Sequence, residues 1–196
     1  MRGHPPDQLA FDFAGSEVGQ PPSFTATRPL LKHRRCTALL KRFSYVRRFF
    51  PELDGRTLRV GLTRAASGMA VPGGDEIWFN PNHVSHHTIA HELVHLLQGK
   101  GDVPTGERSC DIFSLARHWT LNDTQPYYVR VPKEFFDGDG RFRPPYARVV
   151  FEVAVRAIEL RGSGVRNYIQ YFERALRGLK KGLPVETAVP PGAVGP

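Results

Sequence analysis

The sequence predicts an α+β fold. Residues 56–63 and 75–80 alternate apolar and polar positions with a period of two, as half-buried strands do. Residues 30–50, 84–98 and 146–181 repeat apolar positions every three or four residues, as amphipathic helices do. A length of 196 residues leaves room for one domain with a sizeable core. The expected division is an N-terminal tail over 1–27, a single domain over 28–181 and a C-terminal tail over 182–196.

Taken in order, residues 1–27 are rich in Pro, Gly and small polar side chains and are expected to lack fixed structure. They contain Gln8-Leu9-Ala10-Phe11-Asp12-Phe13, which loosely resembles the short peptide that docks bacterial proteins onto the replicative sliding clamp. The resemblance makes such a clamp a candidate partner. The run Leu30 to Phe50 reads as one amphipathic helix ended by Pro51. Arg56 to Thr63 reads as a strand presenting Leu58, Val60 and Leu62 on one face. A glycine-rich turn region over 65–74 has room for a short strand at Met69–Val71, and Asp75 to Asn80 is a second clear strand that Pro81 stops. Helices are expected over 84–98 and over about 106–119. The run Asp137-Gly138-Asp139-Gly140 resembles the start of a calcium loop, but the later glutamate such a loop requires is absent, so it is read as a turn. Residues 146–181 form two helices broken at Gly162-Ser163-Gly164.

Composition narrows the class. No apolar run is long enough to cross a membrane, and the N-terminus lacks the charged-then-apolar layout of a signal peptide, so a cytoplasmic protein with no membrane partner is expected. Cys36 and Cys110 are too few for a disulfide framework and are read as free, partly buried thiols, Cys110 flanking the proposed site without pointing at it. The formal net charge is +8, and the segment from Arg28 to Arg48 contains no acid. Its Lys41, Arg42, Arg47 and Arg48 are candidate nucleic-acid contacts, with a solvated helix face as the plain alternative.

The chemistry centres on His91-Glu92-Leu93-Val94-His95. Residues four apart share a helix face, so His91 and His95 can offer two imidazoles to one metal ion. Glu92, one residue past the first imidazole, is placed to take a proton from water at that metal. Twelve residues past His95 comes Glu107, followed at i+4 by Asp111 on the same expected helix face. With H-E-x-x-H and then E-x-x-x-D, the chain resembles the gluzincin peptidases, and at this size it is similar to the ImmA/IrrE and SprT-like groups. The resemblance covers residues 56–119, about a third of the chain.

That resemblance implies a small zincin-like domain. It would have a short, mainly antiparallel sheet, the H-E-x-x-H helix, a second ligand helix and packed C-terminal helices. It implies Zn²⁺ held by His91, His95 and Glu107, with Asp111 orienting a ligand histidine, His91 by preference, and Glu92 as general base. The activity implied is hydrolysis of a protein or peptide substrate. The substrate would lie along a sheet edge, for which Ile77-Trp78-Phe79 is either the edge or the strand just inside it. His118 is the alternative third ligand, since the SprT-like group uses a third histidine. An oxyanion donor is not visible in the motif; Tyr127 and Tyr128 are candidates. His83, His86 and His87 are read as capping or surface histidines, with His87 a lesser candidate for the cleft. Two further functions stay open: a SprT-like protease acting on DNA-bound proteins, and a non-catalytic, zinc-stabilised regulatory or binding protein.

Overall fold

A computed structural model describes residues 24–99, 101 and 103–180. The clamp-like Gln8–Phe13 stretch and residues 182–196 lie outside the described residues. In chain order the elements are β1 (Phe24–Ala26), α1 (Arg28–Leu31), α2 (Cys36–Arg47), β2 (Leu58–Leu62), β3 (Gly68–Ala70), β4 (Glu76–Phe79), α3 (His86–Gln98), α4 (Glu107–Leu115), α5 (Tyr146–Gly162) and α6 (Tyr168–Lys180). The architecture is mixed α and β, with one four-stranded sheet of order β1-β2-β4-β3. Among the described residues no helix is long and apolar enough to cross a membrane.

The sheet departs from the expected pairing. β1 pairs β2 in parallel, β2 pairs β4 in parallel, and only β3 pairs β4 antiparallel. Two features cause this. Residues 24–26, expected to belong to the tail, form a strand, and α1 and α2 supply the crossover that a parallel neighbour requires. The β3–β4 hairpin then folds so that its second strand lands beside β2 and its first becomes the outer edge. β4 is therefore the strand just inside the edge, the second of the two places considered for it. Ile77 and Phe79 face inward and are fully buried, while Trp78 lies across Gly61, where a Cβ would stand 2.3 Å from its ring.

The single helix expected over 30–50 is two. The backbone turns at residues 32–35, separating α1 from α2, and the helix ends at Arg47, with Pro51 opening a short 3₁₀ turn. α2 sends Leu39, Phe43 and Val46 into the core, with Phe50 just beyond its end. Arg47 also faces inward and is 1 % exposed, donating to the Phe50 carbonyl at 2.6 Å and pairing with Asp54 at 3.1 Å. It is thereby removed from the candidate nucleic-acid contacts: its position in the helix is a core position, and its charge is used locally.

α3 is the central element. Eleven of its thirteen residues are buried, because it packs against α2, α4, β3 and β4 at once. α5 and α6 pack on each other and cover α4. Tyr168 donates to Ser109 Oγ at 2.9 Å, and Glu173 accepts from Arg108 and from the Arg130 amide, tying α6 to α4 and to the segment beyond it. The break expected at Gly162-Ser163-Gly164 falls between these two helices.

Candidate metal centre

The start of α3 is fixed by side chains on both sides of it. Ser85 accepts from the Thr88 amide at 2.9 Å and Thr88 Oγ1 accepts from the Ser85 amide, a reciprocal cap. The Asp123 carboxylate accepts from the His86 and His87 amides at 2.9 and 3.0 Å, adding a negative charge at the helix N-terminus. Burial would raise the Asp123 pKa, but the hydrogen bonds from His86 and His87 outweigh it and the carboxyl stays below its ordinary range. A helix held this firmly at its start presents its next turns at fixed angles.

Those turns carry the histidines. His91 Nε2 lies 3.0 Å from Glu107 Oε2, and His95 Nε2 lies 3.3 Å from the same oxygen. Glu107 is the first residue of α4 and follows Gly106, whose φ of +100° is the backbone conformation that favours glycine. The other nitrogen of each ring is also engaged. His91 Nδ1 donates to Asp111 Oδ1 at 2.9 Å, and His95 Nδ1 donates to Gln98 Oε1 at 2.9 Å. With Nδ1 of each ring engaged, Nε2 is the nitrogen that each histidine turns toward Glu107.

Asp111 is fully buried. One oxygen accepts from His91 and, at 3.3 Å, from His87; the other accepts from the Tyr128 and Val129 amides, the latter at 3.0 Å. Burial alone would raise its pKa, but the hydrogen bonds and charges of His87 and His91 overcome it, and the carboxyl is held far below its ordinary range. For His91, burial opposes the charged form, yet the hydrogen bond and charge of Asp111, with Glu92 and Glu107 behind them, raise its pKa above the ordinary value. Between two carboxylates, the imidazole sits in a field that favours a cation.

Glu92 lies beside them in a cleft of about 480 Å³, lined also by residues 66–70, Pro72, Thr88, Tyr127 and Tyr128. It is 8 % exposed, and burial, reinforced by Glu107 and opposed by His91, pushes its pKa up to about 7. Gly68 on β3 makes room for it: a Cβ there would stand 2.6 Å from Glu92 Cγ. Tyr127 and Tyr128, both half exposed, also line the cleft. The Tyr127 hydroxyl lies 3.0 Å from Thr88 Oγ1, and the Tyr128 ring stacks on His91 at 5.8 Å between centroids.

Three expectations are corrected. His118 does not approach this cluster, because α4 ends at Leu115 and His118 is in extended backbone, where it caps the turn at Trp119–Leu121 and stacks on Phe49. Its ring nitrogen meets Thr120 Oγ1 at 2.8 Å. Cys110 does point at the site: its sulfur lies 3.2 Å from His95 Nδ1, since α4 crosses α3 closely enough for two adjacent α4 positions, Cys110 and Asp111, to reach different histidines. His87 is fully buried rather than on the surface, because α4 covers that side of α3 and supplies Asp111 and Ser114 to its two nitrogens. His83 is exposed in the turn before the helix, as expected, and His86 pairs with Asp123.

Two of the donor separations suit a tetrahedral metal. Bonds of about 2.0–2.1 Å in a tetrahedral shell place neighbouring donors about 3.3 Å apart. The two imidazole-to-Glu107 separations match that spacing. Among the described residues, the triads that bring one donor atom from each residue within 4.8 Å of the others are His91–His95–Cys110 and His87–His91–Asp111. They are less suited. Asp111 already accepts four hydrogen bonds. Burial, then the charges of Glu107, Glu92 and Asp111, push the Cys110 thiol far above its ordinary range, and it faces the protonated nitrogen of His95.

Sequence reasoning did not single out Gln98 or Gly68. Gln98 falls at i+3 from His95, a spacing that could have shown it; Gly68 carries no local signal. Comparison with known proteins adds no family: no family model matches the chain, and no curated protein or solved structure does either.

Proposed function

We propose that the chain is a zinc-dependent metallopeptidase. The observation that carries this reading is the approach of His91 Nε2 and His95 Nε2 to one oxygen of Glu107, at 3.0 and 3.3 Å, beside the buried carboxyl of Glu92. Zinc bound there would supply Lewis acidity and a water that ionises near neutral pH. His91, His95 and Glu107 would hold it, and Asp111 and Gln98 would keep the two imidazoles in the ligating tautomer.

Glu92 takes the proton as water attacks the peptide carbonyl and delivers it to the departing amine, so one carboxyl serves as base and then as acid. Tyr128 is the preferred donor to the oxygen that gains charge during attack. Its ring lies against His91, and burial, with the nearby carboxylates, raises its pKa and keeps the hydroxyl protonated. The outer edge of β3 borders the cleft, and an extended peptide would add to it by backbone hydrogen bonds.

The deciding experiment pairs elemental analysis with a hydrolysis assay on a quenched-fluorescence peptide library. Wild type should carry one zinc per chain and cleave. Glu92→Gln should keep the zinc and lose at least 10³-fold in kcat, the scale at which removal of the essential base registers. Zinc retained together with unchanged hydrolysis in Glu92→Gln would remove Glu92 from the mechanism. Zinc retained with no cleavage by wild type would leave a structural metal.

A further inference from the structure

The stretch opening with α1 and α2 carries a second surface that the metal centre does not use. We propose that the outer face of α2, with the turn before it, binds the phosphate backbone of single-stranded nucleic acid. Arg34, Arg35, Lys41, Arg42 and Arg48 are all exposed, with Arg42 also donating to the Val84 carbonyl at 2.7 Å. Arg34 and Arg35 lie in the turn leading into α2, Lys41 and Arg42 lie on the helix, and Arg48 is its C-terminal cap. Lys41 and Arg48 are seven residues apart, nearly two full turns, so they stand on one side of the helix about 10 Å apart along its axis. From Arg35 to Arg48 the row is about 20 Å long, enough to follow several phosphates of one strand.

The charge on this face is not neutralised by the protein. No acid occurs from Arg28 to Arg48. The two acids that follow are already engaged, Glu52 with buried Arg117 and Asp54 with buried Arg47. Among the described residues no carboxylate lies within ion-pair distance of Arg34, Arg35, Lys41, Arg42 or Arg48. A row of like charges left in this state attracts a polyanion.

Aromatic groups at the same end favour a strand with accessible bases. The Arg48 guanidinium lies 4.9 Å from the centre of the Tyr45 ring, whose hydroxyl meets Thr120 Oγ1 at 2.7 Å. Just beyond, His118 stacks on Phe49 at 4.8 Å and adjoins Trp119 at 5.7 Å between centroids. Trp119 is 44 % exposed. Cations that follow a backbone, with an exposed ring at one end to stack on a base, are the elements of sequence-tolerant single-strand binding.

The test is fluorescence anisotropy of a labelled 20-nucleotide oligo(dT) with the full chain, read from 50 to 300 mM salt. Binding should fall with salt with a log–log slope near −3, as expected for about four to five phosphate contacts at about 0.7 each. Arg34→Glu with Lys41→Glu should weaken binding at least tenfold. Trp119→Ala should weaken it severalfold with little change in salt slope. Arg166→Glu with Arg174→Glu, the same charge change at exposed positions near and on α6, should have less than a twofold effect. No binding at 50 mM salt, or equal losses in the two double variants, would overturn the proposal. So would tighter binding to an oligo(dT)–oligo(dA) duplex, or stronger capture by phosphatidylserine vesicles through the same residues.

Discussion

Gln98 makes the tautomer of His95 and the placement of Glu107 one problem. Its Nε2 donates to the carbonyls of Pro104 at 2.6 Å and Gly106 at 3.0 Å, so that end of the amide must be the NH₂ group. Its oxygen therefore faces His95, and His95 must carry its proton on Nδ1. The same amide holds the loop whose last residue precedes Glu107. Gln98→Ala should leave the fold intact and weaken zinc about 10- to 100-fold, the usual effect of losing a group that orients a ligand. A chelator-competition titration reads this directly; unchanged affinity would mean that Nε2 faces the metal without Gln98. At this scale the sequence spoke unevenly. Asp111 was legible because it stands four residues from Glu107 on one helix, a relation that spacing encodes. Cys110 was misread because helical phase describes one helix, whereas its contact with His95 depends on how closely two helices cross.

Among the elements, β3 and α3 are matched by the absence of a side chain. Gly68 leaves the space that Glu92 occupies, and a Cβ there would come within 2.6 Å of Cγ and 2.8 Å of Oε1. Gly68→Ala should therefore displace the carboxyl while sparing His91, His95 and Glu107. The expected outcome is full zinc content with kcat reduced at least tenfold, since small displacements of a positioned group are costly. Unchanged turnover would show that the edge strand yields instead. α3, β2 and β4 were legible because their periodicities are long and clear. β1 was not, since three residues, Phe24-Thr25-Ala26, offer no period to read. Strand direction was not legible either, because the hairpin from Gly68 to Phe79 can add to β2 through either strand, and alternation along a strand does not choose between them.

For the molecule as a whole, the metal-free fold contains carboxyls whose effects on stability oppose each other with pH. Asp111 is depressed, so its contribution is present above its ordinary pKa of 3.8 and is lost as the pH falls through its folded value. Glu92 is raised, which reverses the sign. Near pH 4 and below it is protonated in both the folded and unfolded chains and contributes nothing. Between 4.5 and about 7 the unfolded chain ionises first, and stability is withdrawn as the pH rises. Above about 7 the penalty is complete, at about 3 kcal/mol if each pH unit counts for about 1.4 kcal/mol. Glu92→Gln removes this second effect, together with the smaller support that Glu92 gives to the charged form of His91, because glutamine imitates the protonated acid and does not ionise. In chelator-treated protein, urea melts of Glu92→Gln and wild type should coincide near pH 4, separate up to about pH 7 and then stay apart by a constant amount, with the variant more stable. Zinc should shrink the gap, because a nearby cation favours the charged carboxylate of the wild type. A constant difference across pH would locate the effect in packing instead. A gap that opens with pH and closes with zinc would mean that the fold gives up stability to keep a base beside its metal, the exchange expected where a buried acid is retained for chemistry.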